Sequence, residues 1–202
     1  MLTFKQYLIE AVKEGKNLHL EHLEDEVLNH GIDGTRAAIN FLQSLRDMLA
    51  GNAKRSVNVS VKWDGAPAIF AGINPENDKF FVGTKGVFNV NPKVNYTDAD
   101  IDKNHSAAGL NAKLKVALKH LPKLGITDVL QGDMLFTDDD FKTETIDDKS
   151  YITFTPNTIT YAIPKESSHK ITKAKMGIVW HTTYSGEKLE DMRASFGANI
   201  GG

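Results

Sequence analysis

Lys62, followed by Trp63, Asp64 and Gly65, closes the alternating run Ser56-Val57-Asn58-Val59-Ser60-Val61. Strand side chains alternate, so Val57, Val59 and Val61 share one face and Asn58, Ser60 and Lys62 the other. The valine face suits a core; the other, small polar residues around a single amine, suits the wall of a polar cleft. An amine is a nucleophile only without its proton. The ordinary lysine pKa of about 10.4 falls when the group is desolvated or set near other cations. A strand end inside a cleft supplies the first condition. Lys85 and Lys175, lining the same cleft, would supply the second, and would also hold phosphate oxygens and the charge that develops at a transferred phosphorus. A Lys-x-Asp-Gly tetrad alone is not rare, and the plainer alternative makes Asp64-Gly65 a hairpin turn and Lys62 a surface amine.

Other constellations carry less chemistry. Asp98-x-Asp100-x-Asp102 opens like a calcium loop but has Lys103 and Gly109 where Gly and Glu are required. His19 and His22 lack the HExxH spacing of a zinc helix and read as surface residues. Asp138-Asp139-Asp140 reads as a solvated loop, and neither a GxxxxGK[ST] nor a GxSxG motif occurs. The absence of cysteine removes disulfides, thiolate zinc sites and thiol nucleophiles together. At 202 residues, 41% hydrophobic and 25% charged, the chain can build one full domain with a small helical appendage. A net charge of −2 leaves only local basic surface for nucleic acid. Lys113, Lys115, Lys119 and Lys123, and Lys165, Lys170, Lys173 and Lys175, read more readily as solvated faces. No apolar run has bilayer length and the start has no signal-peptide layout, so a cytoplasmic protein without membrane contact is expected.

These residues need a scaffold. Residues 1–52 read as a helical segment: a stripe Leu2, Phe4, Leu8, Ala11 and Val12, a helix over Leu20–Asn29 before Gly31, and a third carrying Ile39, Leu42, Leu45 and Leu49 that stops at Gly51. Residues 53–202 change to period two, with strands expected at Val57–Lys62, Ala68–Gly72, Phe80–Thr84, Asp128–Phe136, Tyr151–Phe154, Thr158–Ile163 and Met176–Thr183. Asp64-Gly65 and Asn74–Asp78 mark turns. Asn89–His105 reads as a loop, Ser106 as the N-cap of a helix through Leu121 ended by Pro122 and Gly125, and Glu187–Phe196 as a short closing helix. Helices first and mostly adjacent strands afterwards predict an α+β fold with an antiparallel sheet.

Three stretches, Val59–Gly72, Phe80-Phe81-Val82-Gly83-Thr84-Lys85-Gly86 and Leu130-Gln131-Gly132-Asp133, resemble the covalent nucleotidyltransferase superfamily. It contains the ATP-dependent DNA and RNA ligases and the mRNA-capping enzymes, and the chain is most similar to an uncharacterised ligase-like branch in tailed phages. The resemblance implies an antiparallel-sheet nucleotidyltransferase domain (ATP-grasp-like, of the DNA ligase and mRNA-capping type) with the nucleotide between two sheets. Lys62 would be the lysine that becomes nucleotidylated, and Asp64 and Gly65 the turn that follows. Lys85 would lie on the sugar and phosphate side of the nucleotide, and Asp133 would assist binding of metal and ribose. Tyr161 or Phe154 would stack on the purine, or else serve as core strand aromatics. ATP with Mg2+ or Mn2+ would be the cofactors, and RNA or DNA 5′-phosphate ends the acceptors.

The chain departs from the family pattern at one strand. Met176-Gly177-Ile178-Val179-Trp180-His181 has methionine where a metal-binding acid belongs, and Lys173-Ala174-Lys175 precedes that strand instead of following it. The expectation is therefore a nucleotidyltransferase domain incomplete at its C-terminus, acting as a polynucleotide ligase through a lysyl-AMP at Lys62. The alternatives are GTP-using capping chemistry and a degenerate nucleotide- or nucleic-acid-binding module, or phage structural protein, on the same fold.

Overall fold

The computed structural model describes residues 22–52, 63–198 and 200. The expected strand Val57–Lys62 and the stripe Leu2–Val12 lie outside the described residues, and so does Lys62. The chain divides into two compact units, whose described parts are residues 22–52 and residues 63–200.

The first is helix α1, Leu23–Leu49, interrupted at Gly31, whose backbone (φ 53°, ψ −127°) is not helical. The expected break before Gly31 is therefore present, because a left-handed φ suits glycine and ends a run of α-helical hydrogen bonds. Acidic Glu24, Asp25 and Glu26 occupy the first turn, Asp25 accepting the His22 backbone N–H at 2.8 Å. Gly51, at φ 75°, follows the helix end.

The second unit is α+β, with every strand pair antiparallel. A five-stranded sheet has the order β2-β1-β3-β7-β8, built from Ala68–Asn74 (β1), Lys79–Gly83 (β2), Val129–Thr137 (β3), Met176–Ser185 (β7) and Arg193–Phe196 (β8). A three-stranded sheet joins Lys142–Ile146 (β4), Lys149–Phe154 (β5) and Tyr161–Pro164 (β6). One face of the larger sheet, with Ile69, Ala71, Val82, Leu130 and Met134, packs on Ile101 of helix α2 (Asp98–Asn104) and on Leu114 and Ala117 of helix α3 (Ala108–His120). The other face carries Phe70, Phe81, Val129 and Tyr184, packed against Val87, Phe88, Leu189 and Met192. Leu135 and Phe136 of β3 pack against Phe154 of β5, with Tyr161, Ile163 and Val179 around them, so this cluster joins the two sheets.

Four expectations are corrected. Asn89–His105 is not all loop: Thr97 and Asp100 form a capping box that starts α2. The next helix begins at Ala108 with Ala107 at its N-cap, so Ser106 caps nothing. Glu187–Phe196 is not a helix. Leu189 and Met192 do point into one cluster, but from a 3-10 turn at Leu189–Asp191, after which Arg193–Phe196 pairs with β7. Strand β4, exposed along its whole length, is an element the period-two reading passes over. No described helix is long and apolar enough to cross a membrane.

Candidate functional site

Residues 63–67 run into the start of β1 alongside β3. Ala66 N–H donates to the Met134 carbonyl at 2.9 Å, and Met134 N–H donates to the Pro67 carbonyl at 3.0 Å. Gly65 lies so close that a Cβ there would come within 2.5 Å of the Met134 carbonyl oxygen, so only glycine fits. Asp64 is held from the smaller sheet. The Tyr161 hydroxyl accepts the Asp64 backbone N–H at 3.0 Å and donates to the Asp64 carbonyl at 2.8 Å, while the Asn157 amide donates to its carboxylate. The Tyr161 ring lies nearly parallel to Trp63 (centroids 5.1 Å, 18°) and to Phe154 (5.3 Å, 23°).

Asp133 follows from the register. Phe70 pairs with Gly83 on one side and Gln131 on the other, and Ala68 pairs with Asp133. Lys85, two residues past Gly83, and Asp133, two past Gln131, therefore sit toward the same end of the sheet, where β1 begins. Neighbouring strands are about 4.8 Å apart, so two strand spacings put these two backbones roughly 10 Å apart. Lys85 opens the 3-10 turn Lys85–Phe88 and is exposed. Asp133 is only 6% exposed.

A β-bulge brings a histidine to Asp133. Gln131 pairs with Thr182 but Gly132 pairs with Trp180, leaving His181 as the extra residue of β7. A bulge re-aims the side chain it inserts. His181 Nε2 lies 3.7 Å from Asp133 Oδ1, and that nitrogen is buried with no hydrogen-bond partner among the described residues; Nδ1 is 2.8 Å from the Thr182 hydroxyl. On the same face the Tyr184 hydroxyl donates to Gln131 Oε1 at 2.7 Å, and burial pushes the Tyr184 phenol up to about 12.

The site residues read from the sequence thus do not all come together. Tyr161 holds Asp64, and Gly65 packs on Met134, at the entry to β1, while Lys85 and Asp133 lie level with the start of that strand. Phe154, 2% exposed within the aromatic cluster that joins the sheets, is a core strand aromatic. Lys62 directly precedes Trp63 but lies outside the described residues. Lys175, expected as a cation beside Lys62, is bound to Asp138 at 2.6 Å, which raises its pKa through the hydrogen bond and the adjacent charge. Met176, at the position of the missing acid, packs on the helix-facing core. Lys113 pairs with Asp140 and Lys115 with Asp102, so part of the basic α3 surface is neutralised locally.

Trp63, Asn157 and His181 were not singled out by their types. Trp63 occupies the variable position of the tetrad, and a bulge histidine has no sequence signature, because the register shift comes from pairing with another strand.

Among the described residues no three His, Cys, Asp or Glu groups come together to hold a metal. A Mg2+ ion ordinarily needs only one or two carboxylates when substrate phosphates complete its shell. The Asp133 carboxylate fits that limited role, with His181 Nε2 beside it as a nitrogen donor for Mn2+.

The chain belongs to DUF6267, a family of unknown function, which matches residues 17–202. No curated protein and no solved structure matches it.

Proposed function

We propose that the chain is an ATP-dependent nucleotidyltransferase of the polynucleotide-ligase type, with Lys62 as its nucleophile. The observation that carries this reading is the meeting of three features at one end of an antiparallel sheet. They are the Trp63-Asp64-Gly65 segment entering β1, which directly follows Lys62 in the sequence, the exposed Lys85, and the buried carboxylate of Asp133.

Lys62 Nζ, having lost its proton to solvent, attacks the α-phosphorus of ATP. The N–P bond forms as the bond to the bridging oxygen breaks, pyrophosphate leaves, and the nitrogen releases a second proton to solvent. A 5′-phosphate oxygen of RNA or DNA then attacks the same phosphorus, the N–P bond breaks, and the amine takes a proton back. Phosphoryl transfer of this kind needs positioning and charge neutralisation more than acid–base help. Lys85 supplies a cation for the phosphates, and the Tyr161 and Asn157 bonds fix Asp64, two residues after the nucleophile in the sequence. A divalent metal held by Asp133 would supply Lewis-acid polarisation of the phosphate.

Incubation with α-labelled ATP and Mg2+ or Mn2+, followed by a denaturing gel, tests this. Wild type is expected to retain label and Lys62→Ala to lose it. Retention by both variants, or label from neither ATP nor GTP, overturns the reading; label from GTP alone replaces ligase chemistry with capping chemistry. A second reading rests on Met176, whose packing in the core leaves the usual metal acid without a replacement at that position. It makes the chain a nucleotide- or nucleic-acid-binding module without the reaction, and it predicts nucleotide binding with no covalent label.

A further inference from the structure

Trp63 is 47% exposed, yet its indole is not free to wander. It lies against Tyr161, which lies against the buried Phe154, and the Tyr161 hydroxyl is bonded at both ends to the backbone of Asp64, the next residue. A large aromatic ring is thus fixed beside solvent by a chain of contacts running into the core. Fixing a ring before binding removes most of the ordering cost that a ligand would otherwise bear. The next residue in the other direction is Lys62, a cation suited to phosphate. An open, oriented indole matches the planar face of a nucleobase, since base–aromatic stacking is tolerant of sequence and sizeable for each base.

We propose that Trp63 is a stacking platform for a nucleobase, presented either by a free nucleotide or by a single-stranded nucleic acid. This rests on the reading of residues 62–65 as a nucleotide-handling segment, but it does not require Lys62 to react.

Two arms separate the sources, each pairing a base-bearing ligand with its base-free counterpart. Calorimetry compares AMP with ribose 5-phosphate. Fluorescence anisotropy compares a labelled single-stranded oligonucleotide with an abasic strand of equal length. In at least one arm the base-bearing ligand should bind more tightly to wild type. Trp63→Leu should weaken it by roughly 5- to 150-fold, while Trp63→Phe retains most of the affinity. Lys62→Ala should keep this base preference while losing covalent label, so failure of the chemistry and failure of the platform are told apart. Should Trp63→Leu fold poorly, indole emission of the unmodified chain decides. Quenching by the base-bearing ligand, absent with the base-free one and absent in Trp63→Phe, supports the platform. Equal binding by wild type and Trp63→Leu in both arms, or quenching that survives in Trp63→Phe, overturns it.

Discussion

The Trp63–Gly65 segment and the Asp133–His181 pair lie next to each other, Gly65 packing on the carbonyl of Met134 one residue beyond Asp133, yet they are held in opposite ways. The segment has no regular secondary structure, yet Asp64 is bonded to Tyr161 and Asn157, and Ala66 and Pro67 just beyond it bond to β3. The pair sits at a β-bulge between two strands, and there a buried histidine nitrogen has no hydrogen-bond partner among the described residues, 3.7 Å from a carboxylate. Buried polar groups are nearly always paired, and leaving one without a partner costs roughly 1–3 kcal/mol. Irregular backbone at Asp64 is thus tied down by side chains from the other sheet, whereas the bulged histidine nitrogen has no such tie among the described residues.

This contrast can be broken from either side. The largest expected effect is at Tyr161. Tyr161→Ala removes a half-buried ring between Trp63 and Phe154 as well as the clamp on Asp64, and should cost on the order of 2–4 kcal/mol in urea unfolding. Tyr161→Phe keeps the ring and should cost about 1 kcal/mol. A loss as small for alanine as for phenylalanine would mean the column is decorative.

Next comes Tyr184, on the same face as Asp133. A phenol pushed up to about 12 stays protonated in the folded chain while the unfolded chain ionises near pH 10. The raised pKa contributes stability that is complete below pH 10 and is lost as pH rises through about 12. The loss should reach about 2–3 kcal/mol. Tyr184→Phe should flatten that alkaline limb in chemical denaturation.

Gly65→Ala forces a methyl group against the Met134 carbonyl and Leu135, and should cost about 1–3 kcal/mol. The smallest change is expected at the pair itself. His181→Leu removes the orphan nitrogen together with the bond to Thr182, so stability should move by less than about 1 kcal/mol. A loss well beyond that would make the pair a stabilising element and erase the contrast.

How far the sequence disclosed this arrangement depended on what each residue was asked to reveal. Strands β1, β2, β3, β5 and β7 were legible because apolar β-formers cluster there. Strand β4 was not: Lys142-Thr143-Glu144-Thr145-Ile146 buries nothing, so no pattern marks it, and only pairing with β5 defines it. Leu189 and Met192 have helical spacing that pairing with β7 overrode. In the site, Asp133 was readable as a residue type but not as a position: read as an acid at a strand end, it lies in the middle of β3, and the strand expected before the tetrad lies outside the described residues. The Tyr161 clamp was not readable, since a tyrosine chosen for its ring turned out to act through its hydroxyl on Asp64, 97 residues earlier. His181 owes its place to a bulge that only the partner strand reveals.

The central claim is that the amine directly before the clamped segment bonds to phosphorus. Peptide mapping of the full chain after incubation with ATP and Mn2+ addresses it most directly. The account predicts one adenylate on the peptide containing Lys62, removed by acid, kept in alkali, and absent from Lys62→Arg. An unmodified Lys62 peptide beside demonstrable ATP binding, or an adenylate on any other residue, would contradict it.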